Sequence, residues 1–362
     1  MHGMKVIIAG AGLCGLATAL RLHEAGIDVT VLEGNTVAGG RVQPVLGEQQ
    51  DLGPSWVWPY AQPAVSKWFE VLGIATFAQF DAGDALIDRH PDGDAQRQFL
   101  PAQHGIARVA GGTSAIIQSL LNQLPDTVRY RHAVTACAFS NSKCSVEVCV
   151  DGTTQTLHCD KLILALPPRL AAPLISAPEE VAGVINTMKK TPTWMAQHAK
   201  VVIRYDNAFW RDNELSGRVA SQIGPLVEIH DHCGPDGTPA ALFGFVGLTA
   251  EQRAKIGVDA LCDAVRAQLL RCFGRNSPVP RAIEVKDWAL DELVSSAADP
   301  AEPARHPAVV SDLVRQAWFD DRLWFAGSET AATSPGLIDG AFARADQVAD
   351  QVSASIKAVS GQ

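Results

Sequence analysis

Lys5-Val6-Ile7-Ile8-Ala9-Gly10-Ala11-Gly12-Leu13-Cys14-Gly15-Leu16-Ala17-Thr18-Ala19-Leu20 is the stretch whose reading decides the fold of this 362-residue chain. Lys5 to Ala9 reads as a buried strand that runs into a glycine-rich turn, and Leu16 to Ala25 as the helix that follows. A second strand, Asp28 to Leu32, ends in Glu33. Gly10 permits the tight turn, Gly12 lets a backbone approach a pyrophosphate, and Gly15 lets helix and strand pack closely, so that helix N-terminal amides can hold negative charge. Glu33 stands at the offset of about twenty residues at which an acidic side chain accepts from an adenosine ribose. A glycine triplet alone is weak; strand, turn, helix, strand and acidic cap together predict a dinucleotide-binding unit.

The same stretch has a rival reading as a secretory signal, with Lys5 before the apolar run Val6 to Leu20 and Ala17-Thr18-Ala19 as a cleavage site. Cleavage there would destroy the nucleotide unit, and nothing in the composition asks for export. The expectation is a cytoplasmic enzyme. A chain of this length buries a large core and divides into two lobes. Its 47% hydrophobic and 19% charged content is that of an ordinary globule. The net charge of -9 disfavours a phosphate backbone, and no basic run, RNA motif or zinc spacing is visible, so neither nucleic acid nor a metal is expected. The eight cysteines include no C-x-x-C pair and read as reduced core residues. No apolar run is long enough to span a bilayer.

Farther along, Gly39-Gly40-Arg41 closes the opening unit with room for a phosphate and a charge to meet it. Asp51-Leu52-Gly53-Pro54-Ser55-Trp56 makes a compact turn. Ala64 to Leu72 reads as a helix, and Phe77 to Leu100 as short strands turning at Gly83 and Asp92-Gly93. Gly111-Gly112-Thr113 introduces a helix from Ser114 to Leu124, with Thr113 as its cap. Val128 to Val150 alternates through a turn near Asn141, Asp151-Gly152 marks a hairpin, and Thr154 to His158 returns. Lys161 to Leu166 suits a central parallel strand covered on both faces. Ala199 to Tyr205 and Ala240 to Val246 belong to a second sheet, with Asp259 to Phe273 an amphipathic helix beside it. Leu323 to Ala326 is a last strand, Gly327-Ser328-Glu329-Thr330 a turn, and Gly336 to Ser355 a long helix whose N-terminus makes another anion site.

In this order the opening unit, Gly39-Gly40-Arg41, the Asp51 to Trp56 turn, Gly111-Gly112-Thr113, Leu162 to Pro168, Phe325 to Thr330 and Gly336-Leu337-Ile338-Asp339-Gly340-Ala341 resemble the flavin-containing amine oxidases nearly end to end. The resemblance implies an α/β fold: a doubly wound, Rossmann-type FAD lobe and a smaller α+β mixed-sheet substrate lobe. It implies an interleaved chain, with residues 1–60, 105–172 and 308–362 in the FAD lobe and residues 61–104 and 173–307 in the substrate lobe. Gly10, Gly12 and Gly15 would face the FAD pyrophosphate, Glu33 the adenosine ribose, and Gly40 with Arg41 the flavin side of the pyrophosphate. Gly53, Ser55 and Trp56 would lie beside the cofactor and the backbone of Val134 against adenine. Gly327, Glu329 and the amide of Ile338 would hold ribityl, phosphate and the pyrimidine edge. Lys200 lies nine residues before Phe209-Trp210, the spacing of the family lysine that holds a water against flavin N5; its plainer reading is a surface lysine, but the flanking Ala199, Val201 and Val202 give no polar surroundings and favour the functional one.

Departures from the family pattern carry expectations too. Members that attach FAD covalently use a cysteine after a tryptophan equivalent to Trp288, whereas Leu293 to Asp299 has none, so FAD should bind non-covalently. The usual aromatic pair flanking the flavin is missing, with Leu337 and Ala297-Ala298 at the corresponding places; Trp56, Trp58, Trp194, Trp210 or Phe243 could replace it, each with a plainer reading as core packing. The short stretch from Arg41 to Gly111 predicts a shallow or differently roofed pocket. Glu228-Ile229-His230-Asp231-His232 reads as a solvated edge more readily than as a metal or acid-base site. The resulting expectation is oxidation of a small amine by hydride transfer to flavin, with oxygen as acceptor and hydrogen peroxide as product. The rivals are a desaturase or protoporphyrinogen-oxidase-like enzyme and a non-catalytic flavin protein.

Overall fold

Five short runs of β-branched and aliphatic residues build the first sheet. In this computed structural model, which describes residues 4–360 apart from 92, 141–142, 177–178 and 304, Lys5–Ala9 is the middle strand. It pairs in parallel with Asp28–Leu32 on one side and Lys161–Leu164 on the other. Val128–Arg129 and Leu323–Phe325 extend the two edges, also in parallel. Lys5–Ala9, Lys161–Leu164 and Leu323–Phe325 are buried on both faces, which is why they read as largely apolar runs, whereas Asp28–Leu32 is buried only at Val31 and Leu32. On one face the helices Leu13–Glu24, Ser114–Asn122 and Ile338–Ser360 close a core around Leu16, Leu20, Ile116 and Phe342. On the other, an antiparallel sheet of His132–Phe139, Cys144–Val150 and Thr153–Cys159 buries Cys144, Val146 and Val148 against Ile7, Leu162 and Leu164. The α/β reading holds, and the strands of this sheet come from residues 5–9, 28–32, 128–129, 161–164 and 323–325. The expected turn centres Asn141 and Asp92 lie outside the described residues.

Packing moves two boundaries of the expected division. Pro63–Leu72, assigned from sequence to the substrate lobe, buries Val65, Trp68, Phe69 and Leu72 in the first core, with Trp68 stacked on Phe342 at 5.0 Å. Ala182–Lys190 likewise buries Val184, Ile185 and Met188 under the opposite face. An apolar stripe at helical spacing tells that a helix needs a core, not which core it joins.

The second sheet has seven strands. Ala199–Arg204 lies between Ala282–Asp287 and Ala241–Val246, antiparallel to both, and Leu226–Asp231 follows as an interior strand. Ala250–Phe273 covers this sheet, opened by a capping box in which Thr249 and Gln252 exchange bonds. Asp51 is why Thr113 fails as the expected cap: its Oδ1 takes the Thr113 hydroxyl at 2.6 Å, leaving the helix start without a side-chain cap. The loop carrying Val45, Leu52 and Trp56 packs on Val202 and Phe243 and joins the two sheets.

Candidate functional site

A cleft of about 1420 Å³ runs from the C-terminal ends of the first sheet's strands onto the face of the second. Gly10, Gly12, Glu33, Gly40, Arg41, Gly53, Ser55, Trp56, Val134, Lys200, Gly327 and Ile338 all line it. Of the residues expected at the site, Gly15 and Glu329 stand behind the wall. A Cβ on Gly15 would lie 2.0 Å from Gly10 O, so this glycine serves helix–strand packing and does not face a pyrophosphate.

Gly12 is the opposite case. Its backbone, φ -72° and ψ 175°, suits any residue, and an added Cβ would meet nothing within 4 Å. The protein itself therefore has no need of glycine there; the free space at the start of Leu13–Glu24 is room for a group from outside the chain, against amides that favour an anion. Glu33 sits one strand away with Oε2 accepting from Ala11 N and Oε1 from Asn35 N, both at 2.8 Å. An ionised carboxylate has lone pairs left for ribose hydroxyls. Glu33→Ala is expected to weaken FAD retention about tenfold and leave the fold intact; unchanged affinity by fluorescence titration would remove the ribose role.

Arg41 reaches across to the last turn. It forms a bidentate pair with Glu329, at 2.5 and 2.9 Å, and donates to Ser328 Oγ. Glu329 is fully buried and also accepts from Trp194 N. Burial pushes its pKa up, but the Arg41 guanidinium beside it outweighs this and holds it below the usual range. The carboxylate of Glu329 thus faces Arg41 rather than a cofactor, and its part is to fix the arginine that lines the cleft.

Lys200 is 3% exposed, which excludes the surface-lysine reading. Its polar surroundings come from elsewhere in the chain: Nζ donates to Gly53 O at 2.8 Å and to Ser55 Oγ at 2.5 Å, and stands 4.4 Å from the Phe243 ring centroid. Burial pushes its pKa down to about 7, Asp51 acting against that and Arg108 with it.

Trp56, Trp58, Trp194 and Phe243 line the cleft, whereas Trp210 is fully buried and donates to Asp231 at 2.8 Å. Phe245, Trp288 and His198 line it too and were not anticipated. Period-two spacing was the signal available for two of them, since His198 precedes Lys200 by two residues and Phe245 is its cross-strand partner. The Glu228 to His232 segment is not a solvated edge: His230, Asp231 and His232 are buried in and just beyond an interior strand. No group able to hold a metal exists among the described residues, nor a helix long and apolar enough to cross a membrane.

The model of the family "Flavin containing amine oxidoreductase" matches residues 13–92 and 79–353. Amine oxidase [flavin-containing] A of Bos taurus is 24% identical over 249 residues, covering 68% of this chain and 46% of that protein, so the match spans about half the relative's length. The Sus scrofa protein of the same name is 24% identical over an alignment covering 97% of this chain and 85% of the relative. Among solved structures, putrescine oxidase bound to putrescine superposes with a TM-score of 0.79 at 19% identity, covering 97% of this chain and 99% of that one. Cyclohexylamine oxidase from Brevibacterium oxydans IH-35A does so with 0.79 at 16%, covering 98% and 100%. The family model covers most of the chain, so this chain belongs to the flavin containing amine oxidoreductase family, and FAD is its cofactor.

Proposed function

We propose that this protein oxidises a small amine, with dioxygen as the acceptor. The net reaction converts a primary amine, dioxygen and water into a carbonyl compound, ammonia and hydrogen peroxide. When bound, FAD supplies the two-electron acceptor for the hydrogen on the carbon beside the amine nitrogen. The observation that carries this reading is Lys200: a single ammonium-bearing side chain, buried and held by Gly53 O and Ser55 Oγ, lining an otherwise aromatic stretch of the cleft.

Each residue then has a task. The amides after Gly12 and the fixed guanidinium of Arg41 hold phosphate charge, and Glu33 accepts from ribose hydroxyls. Trp56, Trp194, Phe243, Phe245 and Trp288 exclude water and orient the carbon chain of a neutral amine. In its protonated form Lys200 Nζ stabilises negative charge that grows on dioxygen as it is reduced. No side-chain base at the reacting carbon is needed for hydride loss.

FAD is held here without a covalent bond. Cys14 is the one cysteine lining the cleft among the described residues, and burial pushes its thiol up to about 12, which leaves it unreactive. The protein is expected to purify yellow and to release intact FAD on acid or heat denaturation; colour remaining with the precipitate would overturn this. Its eight free thiols suit a reducing cytoplasm as the working compartment. Anaerobic mixing with amines, amino acids and cyclic alkenes, following flavin bleaching, tests the substrate class. Reduction by amines alone supports the reading, whereas reduction by alkenes alone would make the enzyme a desaturase.

A further inference from the structure

Gln79 has no part in the proposed reaction, yet both ends of its amide are committed, one to a side chain of the cleft and the other to the backbone behind it. The Trp56 indole, which lines the cleft, donates from Nε1 to Gln79 Oε1 at 2.8 Å. Gln79 Nε2 donates to Phe80 O at 3.1 Å and to Asp231 O at 2.9 Å, and its backbone N donates to Ile106 O at 3.0 Å. Turning the amide over would set its NH2 group against the indole N–H and its oxygen against two carbonyls, so one orientation alone satisfies all three partners. Among side chains of this length glutamine is the one that accepts here and donates twice; an ionised glutamate has no donor, and methionine has none either.

The residues that supply those two carbonyls are clamped in turn by Arg211. Its guanidinium pairs with both oxygens of the Asp231 carboxylate, at 2.8 and 2.9 Å, and lies 3.9 Å from the Phe80 ring centroid. Asp231 also accepts from Trp210 Nε1 at 2.8 Å and from Cys233 N at 3.0 Å, and is 1% exposed. A buried, fully committed carboxylate thus holds the backbone against which the Gln79 amide is set. The ring contacts of the Trp56 indole are of another kind: it meets Phe243 at 5.2 Å and His230 at 4.8 Å, both edge to face. Edge contacts tolerate sliding, whereas a hydrogen bond weakens steeply once it is bent, so the bond to Gln79 is the contact that sets the angle of the ring.

The place of Trp56 makes that angle matter. Ser55, its neighbour in the chain, takes Lys200 Nζ at 2.5 Å, and Phe243, which the indole meets, lies 4.4 Å from the same Nζ. Trp56 and Phe243 therefore form a corner of rings beside Lys200, in a cleft where Leu337 stands in place of one of the usual aromatic pair. We propose that Gln79 is a positioning residue that fixes the plane of the Trp56 indole, and that the Trp56–Phe243 corner does the work of the missing pair in orienting the carbon beside the amine nitrogen. The proposal rests on the amine oxidation argued above, but its first test needs no substrate.

In FAD-loaded protein labelled with ¹⁵N-tryptophan, the Trp56 indole N–H, assigned by its loss in Trp56→Phe, is expected to exchange slowly with solvent. Gln79→Met keeps length and bulk without the amide; it should move that resonance upfield and speed its exchange about tenfold or more. In anaerobic stopped-flow with an amine, the limiting rate of flavin reduction should fall about tenfold, because a small misplacement of the reacting carbon is enough for that, while re-oxidation by oxygen changes by no more than about twofold. In the Trp56→Phe background, where no N–H is left to hold, Gln79→Met should change reduction by less than about twofold. A merely structural role would give equal losses in both backgrounds or slow both half-reactions, and either result overturns the proposal. So does an unmoved indole resonance in Gln79→Met, or a wild-type Trp56 indole that exchanges freely, which needs no substituted protein to fold. If the indole responds as stated while no amine reduces the flavin, the hold of Gln79 on Trp56 stands, and the amine reading falls together with the orienting role.

Discussion

Gly12→Val is expected to give a folded protein that purifies without FAD. The extended backbone at Gly12 accepts valine, and the space around an added Cβ is empty within 4 Å, so the chain itself has little to object to; losing glycine at a helix cap costs under about 1 kcal/mol. The new methyl groups fill the space into which a pyrophosphate must come to reach the amides of Leu13–Glu24. An affinity loss of about 100-fold or more, about 2.8 kcal/mol, is expected. The ratio of flavin to protein absorbance reads retention, and far-ultraviolet circular dichroism reads the fold. Gly15→Val is the contrast. It drives side-chain atoms into Gly10 O and should lose the fold together with the cofactor. A Gly12→Val protein that stays fully yellow would mean the pyrophosphate enters elsewhere.

The second large effect is expected at Lys200. Lys200→Met removes the ammonium and keeps the length and apolar bulk against Phe243, so re-oxidation by oxygen should slow about 100-fold, the loss expected for one fixed charge stabiliser. Flavin reduction by substrate should change by no more than a few-fold, because hydride leaving a neutral amine gains little from a nearby cation. In wild type the protonated fraction falls as pH rises through about 7, and the re-oxidation rate should fall with it; in the methionine variant that pH dependence should vanish. The same shift acts on stability. Between about 7 and the ordinary lysine value near 10.5 the unfolded chain holds a proton that the folded chain has released, so stability rises with pH across that window, and Lys200→Met removes the rise. Stopped-flow kinetics of the two half-reactions separates the outcomes. Equal slowing of both would assign Lys200 to substrate binding.

The opening unit was legible because its constraints are local. A five-residue apolar run, a turn needing Gly10 at φ 102°, a helix and an acidic strand end all fall within thirty residues, and each restricts its neighbour through the backbone. The final strand, turn and helix were legible for the same reason. Lys200 was located by spacing alone; the sequence around it, Ala199 and Val201, is apolar and carried no sign of Gly53 O or Ser55 Oγ, which arrive from about 150 residues away.

What the sequence by itself determined, then, is the α/β fold class and the family its motifs belong to, since period, turn chemistry and spacing are written in consecutive residues. What only the tertiary structure decided is where the charges go. Glu329 turned from cofactor contact to anchor because Arg41 reaches it across the cleft. Thr113 gave its hydroxyl to Asp51 instead of to a helix start, and Glu228 to His232, polar enough to read as an edge, became an interior strand and the turn beyond it because the strands of Ala241–Val246 and Leu215–Ser221 flank it. Each depends on which distant side chain competes for the same buried donor or acceptor, and that competition exists only once the fold has brought the competitors together.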